Sequence, residues 1–220
     1  MASEYGTIPA LIAVRGLYAR RFKRVFDLAL TITALPLIVP VSLIIVLLIK
    51  LDSRGPALIR LCRLGRDHST FYKYKFRTMQ VGAEQVLQKM LAADPEVRRE
   101  YEATYKIKND PRVTRFGRLL RKTSLDELAQ VLNVFRGEMS WVGPRDILPK
   151  ELAMYGEHGE KFVSVQPGIT GLWQVSGRST LAYAERVRLD MYYIDNLSAF
   201  TDLKILLKTV PVVLLGSGAA

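Results

Sequence analysis

The most apolar part of the chain is residues 28–49, which read LALTITALPLIVPVSLIIVLLI and contain no charged side chain. As one straight helix this run would be roughly 33 Å long, enough to cross a hydrocarbon core of about 30 Å. The run is too long for a cleaved signal peptide, and no small-residue cleavage site follows it. The pattern therefore predicts a membrane segment.

Two features predict that this segment enters and leaves the membrane on the same side. Arginines and lysines flank it at both ends, and loops rich in these residues stay cytoplasmic. Pro36 and Pro40 lie inside it, and each proline disfavours a straight helix by about 3 kcal/mol. We therefore expect a re-entrant helix-break-helix, broken at Pro40, in preference to a spanning helix. Carbonyl groups freed near Val39 would need partners, such as Ser42 or protein packed above them.

Beyond Gly55 the pattern predicts a soluble domain that opens with a β-hairpin. Apolar stretches at 57–63 and 71–77 flank the turn-like sequence GRDHS. In the second stretch, aromatic side chains alternate with basic ones. They are Tyr72, Tyr74 and Phe76 on one face and Lys73, Lys75 and Arg77 on the other. Such a strand is either half-buried with solvated lysines or a surface for single-stranded nucleic acid.

Helical patterns dominate the remainder of the chain. Residues 83–106 are predicted to be helical with a break at Pro95, and residues 112–122 form a short basic helix. This helix leads into a second one that ends at Gly137. The segments WVGPRD and QPGITGLWQVSGRS contain many glycines and prolines, which predicts buried loops. The apolar stretch 200–215 suits a helix on a membrane surface or, equally, a packed core helix.

Together these elements predict a mainly α monotopic membrane protein with a small β-hairpin, an N-terminal re-entrant helix-break-helix and surface-lying amphipathic helices. Four regions follow from this prediction. They are a flexible or amphipathic lead (1–22), the re-entrant membrane helix (23–54), a cytoplasmic domain with membrane-surface helices in which we expect the chemistry to lie (55–215), and a tail (216–220).

Composition limits the classes of molecule and metal ion that the protein is expected to bind. The 220 residues carry a formal net charge of +11, which favours anionic partners such as nucleic acid, lipid headgroups or phosphorylated metabolites. Cys62 is the only cysteine, so no disulfide can form within the chain and a reducing compartment is indicated. His68 and His158 are far apart in sequence, which argues against a zinc site built from His and Cys. Any metal would be a hard cation held by oxygen.

Asp126 and Glu127 are adjacent carboxylates in the basic stretch RKTSLDELAQVLN. Ser124 and Glu127 have the spacing of a capping box, which predicts that they start a helix. Neighbouring helical residues point about 100° apart, so we do not expect the two carboxylates to share a proton. At an open helix end both could face one anion and one metal ion. This pattern favours phosphoryl chemistry supported by Mg²⁺ and basic side chains, and the chain lacks a P-loop or a dinucleotide fingerprint.

Several motifs occur in order along the chain. They are KRVFDLAL, YKFRTM, DPRVTRFGRLLRKTSLDELAQVLNVFRGEMSWVGPR, QPGITGLWQVSGR and LDMYYIDNLS. These motifs closely resemble those of the bacterial sugar transferases called monotopic polyprenyl-phosphate phosphoglycosyltransferases. The resemblance covers residues 23–208 and is closest to the branch that starts exopolysaccharide or O-antigen repeat units with galactose phosphate or glucose phosphate.

The resemblance implies an enzyme on the cytoplasmic face of the bacterial inner membrane. Such enzymes transfer a sugar-1-phosphate from a UDP-sugar to undecaprenyl phosphate and release UMP, with Mg²⁺ as cofactor. Asp126 matches the nucleophile that forms a covalent phosphosugar intermediate, Glu127 matches the metal ligand, and Pro40 matches the break in the re-entrant helix. The residues that match contacts to the phosphates or the nucleotide are Lys75, Arg121, Arg145 and Arg178.

The chain departs from the family pattern away from these charged residues. Val39 stands where serine is common, Cys62 where a polar residue is common and Ala129 where proline is common, while Pro36 is an additional interruption. The expected partners are the UDP-sugar, undecaprenyl phosphate and membrane lipid, without nucleic acid, and a homo-oligomer is compatible with the sequence. The competing hypothesis is a non-catalytic membrane-surface adaptor that binds anionic lipid or nucleic acid. It predicts salt-dependent binding that does not depend on metal.

Overall fold

The computed structural model describes Tyr18 and residues 22–104, 107–108, 110–177 and 181–214. These residues are mainly helical and contain a β-hairpin, as the sequence predicted, and they also form a second two-stranded sheet that it did not predict. The elements in chain order are α1 (Lys23–Asp52), β1 (Leu58–Leu64), β2 (Thr70–Phe76), α2 (Ala83–Ala93), α3 (Pro95–Thr104), α4 (Arg115–Thr123), α5 (Val131–Arg136), β3 (Ser140–Val142), α6 (Gly159–Val163), β4 (Gly168–Thr170), α7 (Leu172–Ser176), α8 (Tyr183–Asp195) and α9 (Ala199–Leu214). Segments of 3₁₀ helix cover Arg66–His68, Leu125–Gln130 and Pro149–His158.

Helix α1 carries the predicted membrane segment. By length and composition it could cross a membrane, and few side chains of its apolar stretch are buried inside the protein. Pro36 and Pro40 both lie within one continuous helix, so the predicted break at Pro40 is not confirmed. Each proline removes one backbone donor, and the neighbouring turns retain helical geometry around it.

The N-terminal end of α1 is fixed to the domain by polar contacts. Lys23 Nζ lies 2.6 Å from Asp202 Oδ2 of α9. The Asp27 carboxylate accepts a hydrogen bond from the Trp141 backbone N–H at 3.1 Å, and the Trp141 indole donates to Thr31 Oγ1 at 2.9 Å. Because all of these groups are buried or partly buried, the contacts define one orientation of α1 on the domain.

The C-terminal end of α1 is fixed by apolar packing. Ile45 and Ile49 are buried in a cluster with residues of the hairpin, α4 and the 3₁₀ helix Leu125–Gln130. Past the helix end, the Arg77 guanidinium donates to the backbone carbonyl of Ser53 at 2.7 Å. The same domain therefore contacts both halves of α1.

Strands β1 and β2 form the predicted hairpin. They pair antiparallel with Leu58 opposite Phe76 and Leu64 opposite Thr70. The expectation of solvated lysines is wrong, because Lys73 is buried in the protein. The basic face of β2 points inward, where carboxylates and backbone carbonyls bind its cations.

The predicted capping box at the carboxylates is also wrong. Ser124 has φ +56°, a left-handed conformation that ends α4, and its side chain makes no capping hydrogen bond. Its backbone carbonyl instead accepts from the Glu127 N–H at 3.2 Å. The chain reverses tightly after α4, and the following turns are 3₁₀ and not α-helical. The predicted end at Gly137 is confirmed, with a left-handed φ of +79°.

The remaining elements agree with the sequence only in part. The break at Pro95 between α2 and α3 is confirmed. Strands β3 and β4 pair in parallel inside segments that were predicted to be loops. A Cβ on Gly168 would lie 2.1 Å from the Gly143 backbone nitrogen, so the close approach beside this pair requires glycine.

Helix α9 packs on one side only. Asp202 and Ile205 are buried, whereas Phe200, Leu203 and Leu207 are exposed. The helix is therefore a packed element with an apolar outer face, and its contact with a membrane surface stays a prediction. Most of the predicted lead (1–22) and the tail (216–220) lie outside the described residues.

Candidate active site

Strand β2 brings Lys75 against the two predicted carboxylates. Lys75 Nζ lies 2.7 Å from Asp126 Oδ2 and 3.7 Å from Glu127 Oε1. The Asp126 side chain is only 4% exposed, whereas that of Glu127 is 37% exposed. The adjacent carboxylates thus share one cation but differ in access, because the 3₁₀ turns direct Asp126 inward and Glu127 toward the surface.

Helix α4 places Arg121 next to this pair. Its Nε donates to Thr78 Oγ1 at 3.0 Å. Burial lowers the pKa of Arg121, and the charges of Asp126 and Asp110 oppose this shift only in part. A Cβ on Gly117 would lie 2.1 Å from the Thr78 carbonyl oxygen, so α4 reaches this position because residue 117 is glycine.

A second lysine–aspartate pair lies beside the first. Lys73 Nζ is 2.6 Å from Asp146 Oδ2, and Arg63 Nε is 2.7 Å from the same oxygen. Burial disfavours the charge on Asp146, but the charges of Lys73, Arg145 and Arg63 outweigh it and hold the pKa of this carboxyl well below its usual range. Because Lys73 and Lys75 are two residues apart on one strand face, their Cα atoms are about 7 Å apart.

The other predicted basic residues differ in position. Arg145 is exposed, and its guanidinium carbon lies 4.7 Å from the centroid of the Trp173 ring. It follows β3 and directly precedes Asp146, at the edge of the second pair. Arg178 lies outside the described residues. Of the four predicted basic contacts, Lys75 and Arg121 are therefore beside the carboxylates, and Arg145 is beside the neighbouring pair.

The carboxylates are compatible with a magnesium ion. Within the described part of the chain, no cluster of three or more His, Cys, Asp or Glu side chains is arranged to hold a metal. Mg²⁺ does not need such a cluster, because it keeps several waters and binds through one or two carboxylates and substrate phosphates. Glu127 is the accessible oxygen donor, and Asp126 is its buried neighbour. The donor set therefore fits Mg²⁺ bound together with a phosphorylated substrate.

Sequence comparison identifies the chain at the family level. A model of the family described as "Bacterial sugar transferase" matches residues 18–216, which include both lysine–aspartate pairs. The chain belongs to the bacterial sugar transferase family. The resemblance seen in the motifs is thereby confirmed.

Three relatives of this sugar transferase are informative. A UDP-galactose-lipid carrier transferase of Erwinia amylovora is 44% identical over 201 residues, which are 91% of this chain and 42% of the relative. An undecaprenyl-phosphate galactose phosphotransferase of Salmonella typhimurium has the same identity and coverage. The exopolysaccharide production protein ExoY of Rhizobium meliloti is 44% identical over 197 residues, 90% of this chain and 87% of the relative. The chain thus spans less than half of the first two relatives and most of the third.

Two charged pairs of this sugar transferase were missed by sequence analysis. The Lys73–Asp146 pair joins segments far apart in the chain, although Asp146 is the next residue after the predicted Arg145. Arg112 donates to Asp110 from Nε at 2.8 Å and from Nη2 at 2.6 Å. These hydrogen bonds overcome the effect of burial and lower the pKa of Asp110. The Asp110–Arg112 pair could have been predicted from the DPR sequence, because its two charged side chains are only two positions apart.

Proposed function

We propose that this sugar transferase transfers a sugar-1-phosphate from a UDP-sugar to undecaprenyl phosphate and releases UMP. The sugar is galactose or glucose, and the reaction is the first membrane step of exopolysaccharide, O-antigen or capsule repeat-unit synthesis. The observation that carries the proposal is Lys75 bound to a buried Asp126 and an accessible Glu127, with Arg121 alongside. The names of the relatives from Erwinia and Salmonella support the donor and the lipid acceptor.

Asp126 is the proposed nucleophile. Its carboxylate oxygen attacks the phosphorus bonded to the sugar, and the bond from this phosphorus to UMP breaks with the electron pair leaving on UMP. A phosphate oxygen of undecaprenyl phosphate then attacks the same phosphorus, which breaks the aspartyl–phosphorus bond and restores the carboxylate. The burial of Asp126 supports this role, because it limits access of water to the intermediate.

The basic side chains offset the negative charge that develops on the phosphate during the reaction. Lys75 orients Asp126 and, with Arg121, lies where it can compensate the negative charge on the transferred phosphate. We assign Arg145 and Arg178 to the diphosphate or the nucleotide. Glu127 would hold Mg²⁺, which when bound supplies further neutralisation of the diphosphate.

The arrangement of α1 supports attachment to one membrane face. We propose that the domain lies on the cytoplasmic side, which the basic residues at both ends of the apolar segment favour. Asp27 and Thr31 contact the domain near one end of the helix, and Ile45 and Ile49 contact it near the other. If α1 crossed the membrane upright, the same domain would have to reach across the hydrocarbon core. We therefore propose a re-entrant segment and assign its bend in the membrane to Pro40, which lies inside one continuous helix in this structure.

The reaction is tested with purified protein, UDP-galactose or UDP-glucose, undecaprenyl phosphate and Mg²⁺. We expect UMP release that requires all components and is abolished in Asp126→Asn. Asp67→Asn is the matched control, because Asp67 is an exposed turn residue away from the carboxylates. Without acceptor, the wild type should release about one UMP per active site and carry a sugar phosphate on the peptide containing Asp126. Turnover by Asp126→Asn at the wild-type rate would refute the nucleophile, and absence of UMP release with every donor would favour the adaptor.

The topology is tested separately by cysteine labelling in a Cys62→Ser background. Phe22→Cys and Arg54→Cys place thiols at exposed positions on either side of the apolar segment. Both should react with a membrane-impermeant reagent from the cytoplasmic side only. Labelling from opposite sides would show that α1 spans the membrane.

A further inference from the structure

Buried polar atoms without a hydrogen-bond partner gather where α7 meets the first turns of α8. Within the described ranges, five such atoms belong to this region. They are Trp173 Nε1, Gln174 Oε1, Tyr183 OH, Arg186 Nε and Asp190 Oδ1. Burying a polar group without a hydrogen-bond partner costs free energy, and native proteins contain only a few such groups per hundred residues. Several in one place indicate that something outside the protein chain satisfies them. We call these five side chains the hydroxyl cluster.

The hydroxyl cluster is held together by its own aromatic and charged contacts. The Arg186 guanidinium carbon lies 4.7 Å from the Tyr183 ring centroid and 5.7 Å from that of Trp173. Asp190 is buried, and its Oδ2 accepts from the Tyr155 hydroxyl at 2.9 Å. The Arg145 backbone N–H also acts on this carboxylate, while Oδ1 has no hydrogen-bond partner. The protein therefore fixes these groups on one side, while the five polar atoms themselves are buried and lack a hydrogen-bond partner.

The chemistry of the open atoms identifies the class of ligand. The indole and guanidinium nitrogens are donors, the Gln174 and Asp190 oxygens are acceptors, and the Tyr183 hydroxyl is both. A phosphate group offers acceptors at neutral pH, so it would leave Gln174 unsatisfied and would be repelled by Asp190. Adjacent hydroxyl groups on a ring both donate and accept, and the C–H faces of such a ring pack against aromatic side chains.

The state of Asp190 agrees with this ligand. Burial raises the pKa of Asp190 to about 6, because the Tyr155 hydrogen bond, the charge of Arg186 and the backbone and charge of Arg145 offset it only in part. At neutral pH the group is therefore ionised but poorly solvated. A hydroxyl that donates to its open oxygen would stabilise the charge.

The hydroxyl cluster lies beside the proposed donor site. Arg145 covers the Trp173 ring at 4.7 Å, and Asp146, the next residue, binds Lys73 at 2.6 Å. Lys73 is two residues from Lys75 on the same face of β2. The order in space is therefore Asp126, the lysines of β2, Asp146 with Arg145, and then the hydroxyl cluster.

We infer that the hydroxyl cluster binds the vicinal hydroxyl groups of one sugar ring of the nucleotide-sugar donor. The inference rests on the proposed function and adds a recognition site to it. The ring is either the transferred hexose or the ribose of the nucleotide, and both present adjacent hydroxyls.

The test measures binding and needs no turnover. UDP-galactose, UDP and 2′-deoxy-UDP are titrated by calorimetry into the full chain carrying Asp126→Asn, in which the donor is not consumed. Tyr183→Phe is then added, because it removes one open hydroxyl and retains the ring. Gln174→Met is the second variant, and Tyr192→Phe on the exposed side of the same helix is the matched control.

We expect Tyr183→Phe and Gln174→Met each to weaken UDP-galactose binding about tenfold, with Tyr192→Phe unchanged. The melting temperature of Tyr183→Phe should be unchanged or slightly higher, since the lost hydroxyl has no partner in the fold. If the two variants bind UDP-galactose more weakly but bind UDP normally, the ring in the hydroxyl cluster is the hexose. If the two variants lose affinity for both UDP-galactose and UDP, and lose less affinity for 2′-deoxy-UDP, the ring is the ribose.

The inference would be overturned if the two variants lost the same affinity for all three ligands, or lost affinity for none of them. If both variants bind like the Asp126→Asn parent, only the hydroxyl cluster is refuted and the proposed function stands. If the parent itself does not bind UDP-galactose, the proposed function fails and the inference fails with it.

Discussion

The two lysines of β2 each bind an aspartate. The Nζ–Oδ2 distances of the two pairs are nearly equal, but the groups around the two aspartates differ. Lys75 and Asp126 are 2.7 Å apart, and Lys73 and Asp146 are 2.6 Å apart. Asp146 has a second cation, Arg63, at 2.7 Å from the same oxygen. Asp126 instead has a second carboxylate beside it, which shares its lysine. The length of an ion pair therefore does not separate a chemical role from a structural one.

The neighbours decide what each aspartate can do. Asp146 is surrounded by positive charge, so its carboxylate is fully engaged and holds β1, β2 and the segment after β3 together. Asp126 shares one cation with Glu127, and this leaves the pair able to accept further positive charge from a metal ion. We therefore expect the Asp126 pair to govern chemistry and the Asp146 pair to govern stability.

The largest expected effect is on turnover. Asp126→Asn should reduce UMP release by about 10⁴-fold, because an amide cannot form the acyl phosphate. Asp146→Asn should retain turnover within about tenfold of the wild type under conditions in which both variants are folded. The check is the rate of UMP release at saturating donor, with the folded fraction measured by circular dichroism. Equal losses in the two variants would remove the distinction between the pairs.

The second expected effect is on stability, and here Asp146→Asn should lose more than Asp126→Asn. Asp146→Asn should destabilise the fold by about 3 kcal/mol, because it leaves Lys73 and Arg63 partly buried without a counter-charge. Asp126→Asn should cost less, because Lys75 retains Glu127 at 3.7 Å. The measurement is chemical denaturation in detergent micelles. A larger loss in Asp126→Asn than in Asp146→Asn would reverse the structural assignment.

Glu127 gives a third and smaller effect that refines the chemical site. Glu127→Gln should lower turnover by roughly 10²-fold, an effect of the size seen for a lost metal ligand or its close partner. It should also raise the Mg²⁺ concentration needed for half-maximal activity, which a change in folding alone would not do. Glu157→Gln is a matched control, because that carboxylate is exposed and distant in sequence. An unchanged Mg²⁺ requirement would exclude Glu127 as the metal ligand.

The contrast between the pairs also explains what the sequence could predict. The hairpin follows from local alternation around a turn, so β1 and β2 were found close to their true bounds. The Asp126 pair lies within recognisable motifs, and its residues were named. Both pairs join distant segments, and periodicity carries no information about such contacts. The resemblance assigned no role to Lys73 or Asp146, so this pair was not named.

Two local errors have a physical origin as well. A serine three residues before a glutamate fits a capping box, but Ser124 uses its carbonyl in a left-handed turn. Strands β3 and β4 are three residues each, too short to show an alternating pattern. In both cases the tertiary surroundings decided between local conformations that the sequence permits.

Acid sensitivity offers a fourth test of the comparison. The pKa of Asp146 is lowered by its cations, so the group stabilises the fold at pH values above its ordinary pKa of 3.8, and this contribution is lost as the pH falls below that value. The wild type should therefore lose stability on acidification from about pH 5 to pH 3 more steeply than Asp146→Asn. The measurement is the denaturation midpoint at each pH. Parallel profiles would show that Asp146 does not carry this dependence.

The smallest expected effect concerns the turn that sets Asp126 apart. Ser124 has φ +56°, which glycine adopts without strain, so Ser124→Gly should stabilise the fold by roughly 0.5 kcal/mol. A capping serine would give the opposite sign, since its replacement by glycine costs a few tenths of a kcal/mol. Turnover should be unchanged if the left-handed turn alone directs Asp126 toward Lys75. Chemical denaturation and UMP release on the same preparation decide between the two conformations, and a destabilised variant would restore the capping hypothesis.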